Sequence, residues 1–273
     1  MSWIDGFNFA LPEEALFAQE AARSFAENEV LPLAAKIDQE HYFPTELIPK
    51  MGALGFLGVT VPEIYGGAGL SQVAYCLIIE ELAAACASTS VIASAHNSLC
   101  ISPILDFGSE EQKRKFLLPL AKGQALGCFA LSEPGTGSDA ASLVCMAKKV
   151  GDKYIVNGTK NWITNGPVSE TCVLFAKQDP NAGHKGVTAF VHSMKLPGVS
   201  VGKKENKLGI CGSATSNITY EDVELTADNV LLGEFQGFKV AMQTLNGGRT
   251  GIAAQAVGIA RAALRDAMEY SKQ

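Results

Sequence analysis

The sequence has no concentrated run of basic residues, and its 22 lysines and arginines are outnumbered by 28 aspartates and glutamates, a net charge of −6. A nucleic-acid backbone is held by a clustered basic face, so this composition argues against a nucleic-acid partner. The hydrophobic fraction of 47 % over 273 residues is ordinary for a globular protein. It excludes a chain that is mainly disordered or fibrous.

Disulfide and metal-binding patterns are missing as well. The seven cysteines are odd in number, spread from Cys76 to Cys211, and include no CxxC pair. That usage is typical of reduced thiols rather than of a disulfide framework. The four histidines show no HxxxH or HxxE spacing with one another or with a cysteine, so we expect no metal site.

Targeting and membrane signals are weak. Residues 1–6 lack a basic region and a long apolar run, which predicts no signal peptide. We therefore expect a cytoplasmic protein, or a mitochondrial matrix protein if the source is a eukaryote, although no clear transit peptide is present. Residues 82–105 carry no charge and are long enough to span a bilayer. Their many serines and Pro103 favour two buried helices instead, so we predict no membrane span.

The residue pattern predicts an α+β fold in three parts. Residues 1–123 read as an N-terminal all-helical domain, in which Ser109 and Gln112 have the spacing of a helix capping box. Residues 124–233 read as a middle β-domain. Residues 234–273 read as the start of a C-terminal helical domain, of which only the first helix is present.

The middle part contains short β-rich runs separated by turn residues. The clearest runs are 129–131, 143–149, 154–156, 173–176, 187–191 and 218–220. Gly151 with Asp152, and Asn157 with Gly158, are typical hairpin turns. Strands that follow one another with no helix between them predict an antiparallel sandwich or barrel.

One long helix is predicted from Phe235 to the last residue, and its interior is rich in small residues. These are Gly247, Gly248, Gly251, Ala254, Gly258 and Ala262. Glycine in a helix costs about 1 kcal/mol relative to alanine, so such a stripe indicates close approach by another helix or by a ligand. We expect the remaining faces of this helix to need a partner subunit or further sequence to cover them.

The segment 129–139 is the first that suggests chemistry. Gly135, Gly137 and Ala140 match the dinucleotide fingerprint GxGxxG/A, but that interpretation requires a helix to open here. Residues 142–147 alternate as a strand instead. The other interpretations are a purely structural turn, or a loop whose hydroxyls and backbone N–H groups bind a flavin edge or a phosphate.

The second such segment is 157–166, which contains Trp162 between two Asn/Gly pairs. A lone tryptophan is usually a core residue. With Thr164 beside it, Trp162 can instead stack on a ring while donating one hydrogen bond. Both interpretations remain open from the residues alone.

Five motifs in order along the chain resemble those of the acyl-CoA dehydrogenase family. They are Val61-Pro-Glu-Ile-Tyr-Gly-Gly67, Ser132-Glu-Pro-Gly-Thr-Gly-Ser-Asp139, Asn157-Gly-Thr-Lys-Asn-Trp-Ile-Thr-Asn-Gly166, Lys207-Leu-Gly-Ile-Cys-Gly-Ser213 and Gln243-Thr-Leu-Asn-Gly-Gly-Arg249. The resemblance is greatest to the short-chain, butyryl-CoA type. It implies an N-terminal helical domain, a middle β-domain and a C-terminal helical bundle, with most of that bundle lacking here.

The resemblance implies FAD as cofactor and assigns residues to it and to the acyl-CoA. The residues implied to bind FAD are Phe129, Ala130, Leu131, Ser132, Gly135, Thr136, Gly137, Ser138, Trp162, Ile163 and Thr164, with the hydroxyl of Thr164 at the flavin N5 edge. Those implied to bind acyl-CoA are Ser138, Asn246, Gly247, Gly248 and Arg249. The family usually has Asp at position 246, so the charge is lost here while the hydrogen-bonding capacity is kept.

The activity implied is α,β-desaturation of a short-chain acyl-CoA in fatty-acid β-oxidation, with electrons passed to an electron-transfer flavoprotein by a homotetramer. The family's general base is a Glu beyond position 273 in most members, and a Glu at the position of Gly248 in the isovaleryl and long-chain branches. No catalytic residue is therefore assigned, and we expect little activity from this chain alone. A non-catalytic protein that binds flavin or acyl-CoA, and a related oxidase or enoyl-CoA reductase, are the alternatives.

Overall fold

The computed structural model describes residues 11–273. Residues 1–6, for which the sequence predicts no signal peptide, lie outside the described residues. The first part of the described chain is helical. Its helices are α1 (Glu13–Phe25), α2 (Ala34–Gln39), α3 (Leu47–Ala53), α4 (Gln72–Ala85), α5 (Ala87–Ala95), α6 (Ser102–Phe107), α7 (Glu110–Gln112) and α8 (Leu118–Ala121). Three π-helical turns, Ala26–Val30, His96–Ile101 and Lys113–Leu117, continue some of them.

The capping box predicted at Ser109 is confirmed. The Ser109 hydroxyl accepts a hydrogen bond from the Gln112 backbone N–H at 3.2 Å, and the Gln112 side chain accepts one from the Ser109 N–H at 2.8 Å. The amide nitrogen of Gln112 also donates to the carbonyls of Asp228 and Val230. The Gln112 side chain thus caps the first turn of α7 and also joins the helical part to the segment that follows β7.

The middle part is one curled, mixed sheet. Its strands are β1 (Gly127–Ala130), β2 (Met146–Val150), β3 (Lys153–Thr164), β4 (Thr171–Lys177), β5 (Val187–Ser193), β6 (Val199–Val201) and β7 (Thr215–Thr226). The strand order is β1-β4-β2-β3-β7-β6, with β5 on β4. The predicted antiparallel pairing holds for β2–β3, β3–β7, β4–β5 and β6–β7, whereas β1–β4 and β2–β4 are parallel.

One of the two predicted hairpin turns is correct. Gly151 and Asp152 join β2 to β3, whose end residues Val150 and Lys153 pair directly. The turn predicted at Asn157 and Gly158 is wrong, because both residues lie inside β3 at a shift in its register with β7. Gly158 has a φ of 146°, and an added Cβ would lie 2.8 Å from the backbone of Cys145. Glycine there allows a bulge close to the backbone just before β2 rather than a turn.

The core continues from the helices through the sheet. In β4, the side chains of Val173 and Phe175 pack with helical residues such as Ile101 and Leu120, while Cys172 and Leu174 face the other side of the sheet. Both faces of this strand are therefore buried, which explains why its sequence is apolar throughout. Among residues 11–273, no helix has the length and apolarity needed to cross a membrane.

The last element of the described chain is the long helix α9 (Gly237–Tyr270), which confirms the predicted helix. The buried carboxylate of Glu81 on α4 binds α9 through Arg261, at 2.6 Å, and binds α1 through Arg23, at 3.0 Å. Burial raises the pKa of Glu81, but the hydrogen bonds from both guanidinium groups outweigh it and lower that pKa below its ordinary value.

Gly251 and Gly258 of α9 pack against α4 and α5, whereas Gly247 is exposed and another face of the helix stays uncovered. A Cβ at Gly258 would lie 2.2 Å from the Glu80 carbonyl, and one at Gly251 would lie 2.3 Å from the Tyr75 hydroxyl. The exposed apolar side chains of α9 are Ile252, Val257, Ile259, Leu264, Met268 and Tyr270. The stripe is thus a helix–helix contact at Gly251 and Gly258, and the described chain leaves the outer face of α9 exposed, as the sequence predicted.

Two alanine substitutions on α9 test this contact. We expect Gly258→Ala to destabilise the fold by about 1–3 kcal/mol, because its methyl group overlaps the backbone of α4. Gly247→Ala is the matched control: its Cβ meets no described atom within 4 Å, so the gain in helix propensity should stabilise by up to about 1 kcal/mol. Urea denaturation measures both, and equal effects would contradict the packing argument.

Candidate active site

The segment between β1 and β2 forms a tight turn rather than the start of a helix. Glu133 and Thr136 exchange backbone hydrogen bonds of 2.9 and 3.1 Å. Only one short turn, Ala140–Ser142, follows before β2 begins at Met146. The dinucleotide-fold interpretation is therefore wrong for this motif, since no helix opens at Gly137 to receive a pyrophosphate.

The second segment is the end of β3, where the strand is distorted. The register with β7 shifts between Lys160 and Ile163, and Trp162 between them has a φ of 60°. The bulge turns the tryptophan outward, so that 58 % of it is exposed. The core interpretation of Trp162 is therefore wrong, and its ring is free to contact a ligand.

The two segments lie side by side and share one wall. The Asn161 backbone N–H donates to the Ser132 carbonyl at 2.8 Å. The buried side chains of Lys160 and Glu133 pair at 2.7 Å. These contacts place the hydroxyls of the first segment next to the ring and hydroxyl of the second.

A cavity of about 540 Å³ opens between these segments and two helices. Its lining comprises Ala95, Leu99, Phe129, Leu131, Ser132, Gly137, Ser138, Ala140, Trp162, Ile163, Thr164, Met242, Leu245 and Arg249. The wall is thus mainly apolar, with three hydroxyl side chains and one cation. That is the composition expected of a site for a large, partly aromatic ligand.

A second cavity of about 310 Å³ adjoins the first, between α5 and α9. It is lined by Val91, Ser94, Ala95, Ser98, Leu99, Thr164, Leu245, Gly248, Arg249 and Ile252. Five residues belong to both cavities and mark their junction: Ala95, Leu99, Thr164, Leu245 and Arg249. Thr164 and Arg249 are the polar members of this set. A ligand in the second cavity would therefore reach the one in the first beside the Thr164 hydroxyl.

Arg249 is the charged residue at this junction. Its guanidinium donates to the Asn246 side-chain oxygen at 2.7 Å, which holds it one turn along the exposed side of α9. Among residues 11–273, those that line the two cavities include no Asp, Glu or His. The lining of the two cavities therefore carries one cation and no carboxylate or imidazole that could accept a proton.

Family comparison assigns this architecture. Three descriptions of the acyl-CoA dehydrogenase family match the chain: its N-terminal domain at residues 12–124, its middle domain at 128–223 and its C-terminal domain at 236–273. The chain belongs to the acyl-CoA dehydrogenase family. The resemblance drawn from the five motifs is thereby confirmed.

Individual acyl-CoA dehydrogenases are similar over nearly all of this chain. The human mitochondrial short-chain specific acyl-CoA dehydrogenase is 49 % identical over 262 residues, which are 96 % of this chain and 64 % of the relative. The chain thus spans a little under two thirds of that protein. The butyryl-CoA dehydrogenase of Megasphaera elsdenii has a TM-score of 0.95 at 43 % identity, over 98 % of this chain and 71 % of its own.

A third similarity is to a chain in a structure of the electron transferring flavoprotein of Acidaminococcus fermentans. It has a TM-score of 0.95 at 44 % identity and covers 97 % of this chain and 70 % of that one. All three similarities extend across the helical part, the sheet and α9. The first two relatives carry names of the short-chain, butyryl-CoA type.

The structure brings together most of the residues that the motifs singled out for FAD. Eight of the eleven line the larger cavity, whereas Ala130, Gly135 and Thr136 do not. Ala130 is fully buried in the sheet, and the other two lie on the turn beyond the cavity wall. All eleven assignments remain predictions.

The residues assigned to acyl-CoA divide differently. Ser138 and Arg249 line the larger cavity, and Gly248 lines the apolar one. Gly247 faces a separate small cavity of about 40 Å³, and Asn246 contacts Arg249. These roles also remain predictions. In the described part of the chain, no group of three or more His, Cys, Asp or Glu side chains is arranged to hold a metal ion.

Sequence reasoning assigned no ligand role to five apolar members of the wall: Ala95, Leu99, Ala140, Met242 and Leu245. They come from α5, from the π-helical turn after it, from the short turn before β2 and from α9. Nothing in their residue types separates them from core positions. The sequence reasoning also gave no role to Glu133 and Lys160, although both lie inside motifs that resemble those of the family.

Proposed function

We propose that this chain binds FAD in the larger cavity and a short acyl-CoA thioester in the smaller one, as part of an acyl-CoA dehydrogenase. The observation that carries the proposal is the meeting of the two cavities at Thr164. A hydroxyl at that point lies where the reacting atoms of the two ligands would have to come together. Bound FAD would supply the hydride acceptor for desaturation of the acyl chain.

The residues present fit a flavin. Trp162 offers an exposed aromatic face, and Ser132, Ser138 and Thr164 offer hydroxyls on the same wall. Gly137 leaves the wall open, since its added Cβ would meet no described atom within 4 Å. Stacking on tryptophan and several hydroxyl donors suit a planar ring system with polar edges.

The smaller cavity fits the tail of a short acyl chain. Val91, Ala95, Leu99, Leu245 and Ile252 give it apolar walls, which favour burial of methylene groups. Arg249 lines both cavities, where its cation would attract a negatively charged group of either ligand. The chain would thus bind the thioester with its reacting carbons next to Thr164.

A proton acceptor is the missing part. Removal of the α-proton needs a positioned base, and the lining residues within 11–273 provide no carboxylate or imidazole. We therefore propose that the base comes from outside these residues and that the chain alone turns over slowly. The same observation favours the second candidate, a protein that binds flavin and acyl-CoA without catalysis.

Partners follow from the same proposal. We propose that electrons pass to an electron-transfer flavoprotein, supported by the similarity to a chain in such a structure. We also propose a homo-oligomer, as the sequence resemblance implied, because the exposed apolar face of α9 favours association. The proposed location is the cytoplasm, or the mitochondrial matrix; the human relative's name calls that protein mitochondrial.

The test is to reconstitute the purified chain with FAD and titrate it anaerobically with butyryl-CoA. We expect flavin binding that quenches tryptophan fluorescence, and a change in the flavin spectrum on adding the thioester. Thr164→Val should weaken butyryl-CoA binding, measured from the change in the flavin spectrum, by up to about tenfold, because one hydrogen bond at the junction is lost. Thr159→Val, on the same strand with its hydroxyl 3.1 Å from that of Thr219, is the matched control.

The readouts also separate the alternatives. Slow bleaching of the flavin indicates a dehydrogenase, and a spectral change with no bleaching indicates the non-catalytic protein. Reduction of added electron-transfer flavoprotein, rather than uptake of oxygen, distinguishes a dehydrogenase from an oxidase, and light scattering reports the assembly. A folded chain that binds neither FAD nor butyryl-CoA contradicts the proposal.

A further inference from the structure

A fully buried ion pair lies directly behind the wall of the larger cavity. Lys160 of β3 is 0 % exposed and Glu133 is 4 % exposed, and the Lys160 Nζ lies 2.7 Å from a carboxylate oxygen of Glu133. The residues lining the cavity, within 11–273, include neither of them. Burying two charges is costly, and well-packed apolar residues often stabilise a fold as well or better, so stability alone is a weak reason for this pair.

Each member of the pair holds a different part of the first segment. The Lys160 ammonium also donates to the Leu131 carbonyl at 3.0 Å, immediately before Ser132. The Glu133 carboxylate accepts the backbone N–H groups of Val144 and Cys145, at 2.6 and 3.0 Å. The carboxylate therefore closes the loop from residue 133 to residue 144, and the ammonium attaches the start of that loop to β3.

The lysine is also coupled to the second segment. It lies two residues before Trp162, at the point where the register of β3 with β7 shifts. Because the strand is distorted there, pairing with β7 does not by itself set the position of the tryptophan relative to the first segment. The contacts across the gap are the Asn161 N–H to the Ser132 carbonyl and those of the Lys160 ammonium.

We propose that Lys160 and Glu133 are a positioning pair, which fixes the spacing between the hydroxyls of the 129–138 segment and the Trp162–Thr164 end of β3. The effect of this pair on ligand binding rests on the proposed flavin site, because a flavin would lie against both segments at once and would contact both only at the right spacing. The pair acts through Leu131, Ser132 and Trp162. A charged pair suits this role because its bonds are directional, whereas apolar packing tolerates sliding.

The decisive variant is the double substitution Lys160→Met with Glu133→Gln. It removes both charges together, so no lone charge is left buried, and glutamine keeps one acceptor for the loop amides. The single variant Lys160→Met leaves the Glu133 carboxylate buried alone and would confound folding with positioning. The matched control is Lys153→Met with Glu224→Gln, a pair joined at 2.6 Å between β3 and β7 but exposed to solvent.

Two measurements are made on the wild type and both double variants. Hydrogen exchange on the flavin-free chain reports the loop, and we expect the amides of 131–145 in the Lys160/Glu133 variant to exchange about tenfold faster or more, with the rest of the sheet unchanged. Titration with FAD reports the site, and we expect about tenfold weaker binding and a shifted flavin absorption band, because a looser wall must be ordered on binding. The control variant should match the wild type in both.

The outcomes are distinct. Local loosening together with weaker FAD binding supports the inference. Unchanged exchange in 131–145 overturns it, and so does exchange that rises equally throughout the sheet, since the pair would then serve stability alone. If the wild type binds no FAD, the proposed function fails, and the exchange measurement still decides whether the pair fixes the two segments.

Discussion

Gly248→Glu is expected to raise the rate at which butyryl-CoA bleaches the bound flavin by about 10²-fold or more, the usual range for a positioned general base. Gly248 is buried on α9 and lines the apolar cavity that also contains Thr164. A glutamate there would put a carboxylate beside the proposed position of the acyl chain. It is also the position at which other branches of the family carry their base, according to the sequence resemblance.

The substitution is sterically feasible and has a close control. An added Cβ would lie 3.0 Å from the Leu99 side chain and 3.5 Å from the Ser98 hydroxyl, so the end of one flexible leucine must move slightly. Gly248→Gln has the same shape without basicity and should leave the slow bleaching rate unchanged. Equal rates in the Glu and Gln variants would show that this position cannot deliver a base.

Elements that follow a single rule were predictable from the sequence. The capping box at Ser109 needs two residues at a fixed spacing, and both hydrogen bonds form. The apolar run in β4 predicted a strand, and its burial on both faces agrees with that run. The same run carried the information that the sheet is not purely antiparallel, because strands buried on both faces are typical of parallel pairing.

The end of β3 was not predictable, because a charged side chain is buried there and a large aromatic one is exposed, the opposite of what hydropathy predicts. Lys160 is fully buried and Trp162 is 58 % exposed. The reversal depends on a bulge and on a carboxylate 27 positions earlier in the chain, neither of which the local pattern shows. Asn157 and Gly158 were misread for the same reason: their turn propensity serves a bulge where the backbone just before β2 approaches closely.

The cavity wall was predictable only where a motif marks it. Ser132, Trp162 and Thr164 lie in unusual stretches of sequence, and all three line the cavity. Leu99 and Leu245 line it equally, but they are ordinary apolar residues on helices far apart in the chain. Their role comes from the way α9 packs against the helical part, which is a property of tertiary structure.

Acidification should destabilise this protein through His96, and by more than most single substitutions would. The ring is fully buried, its Nδ1 accepts the Gly127 backbone N–H at 3.0 Å, and its Nε2 lies 3.1 Å from the carbonyls of Leu57 and Leu120. Because Nδ1 accepts, the proton of the neutral ring must be on Nε2, which donates to those carbonyls. Protonation would put a second hydrogen on Nδ1, facing the Gly127 N–H.

Burial lowers the pKa of His96 from 6.5 to about 4, while the bonds to the two carbonyls oppose that shift. Between these values the unfolded chain binds a proton that the folded chain does not. The His96 contribution to the free energy of unfolding is therefore complete above pH 6.5 and is lost as the pH falls. The loss is about 2 kcal/mol between pH 7 and pH 5, and about 3 kcal/mol at pH 4 or below.

Urea denaturation from pH 7 to pH 5 measures this loss before most carboxylates titrate. His96→Gln should be less stable than the wild type at pH 7, because it cannot reproduce all the bonds that join the π-helical turn to β1. Between pH 7 and pH 5, its free energy of unfolding should nevertheless fall by about 2 kcal/mol less than that of the wild type. His184→Gln, at an exposed histidine, is the control and should keep the wild-type dependence. If His96→Gln kept the full pH dependence, another titrating group would be responsible for the acid sensitivity. The bond from the His96 ring to the start of β1 would then not be the acid-sensitive contact.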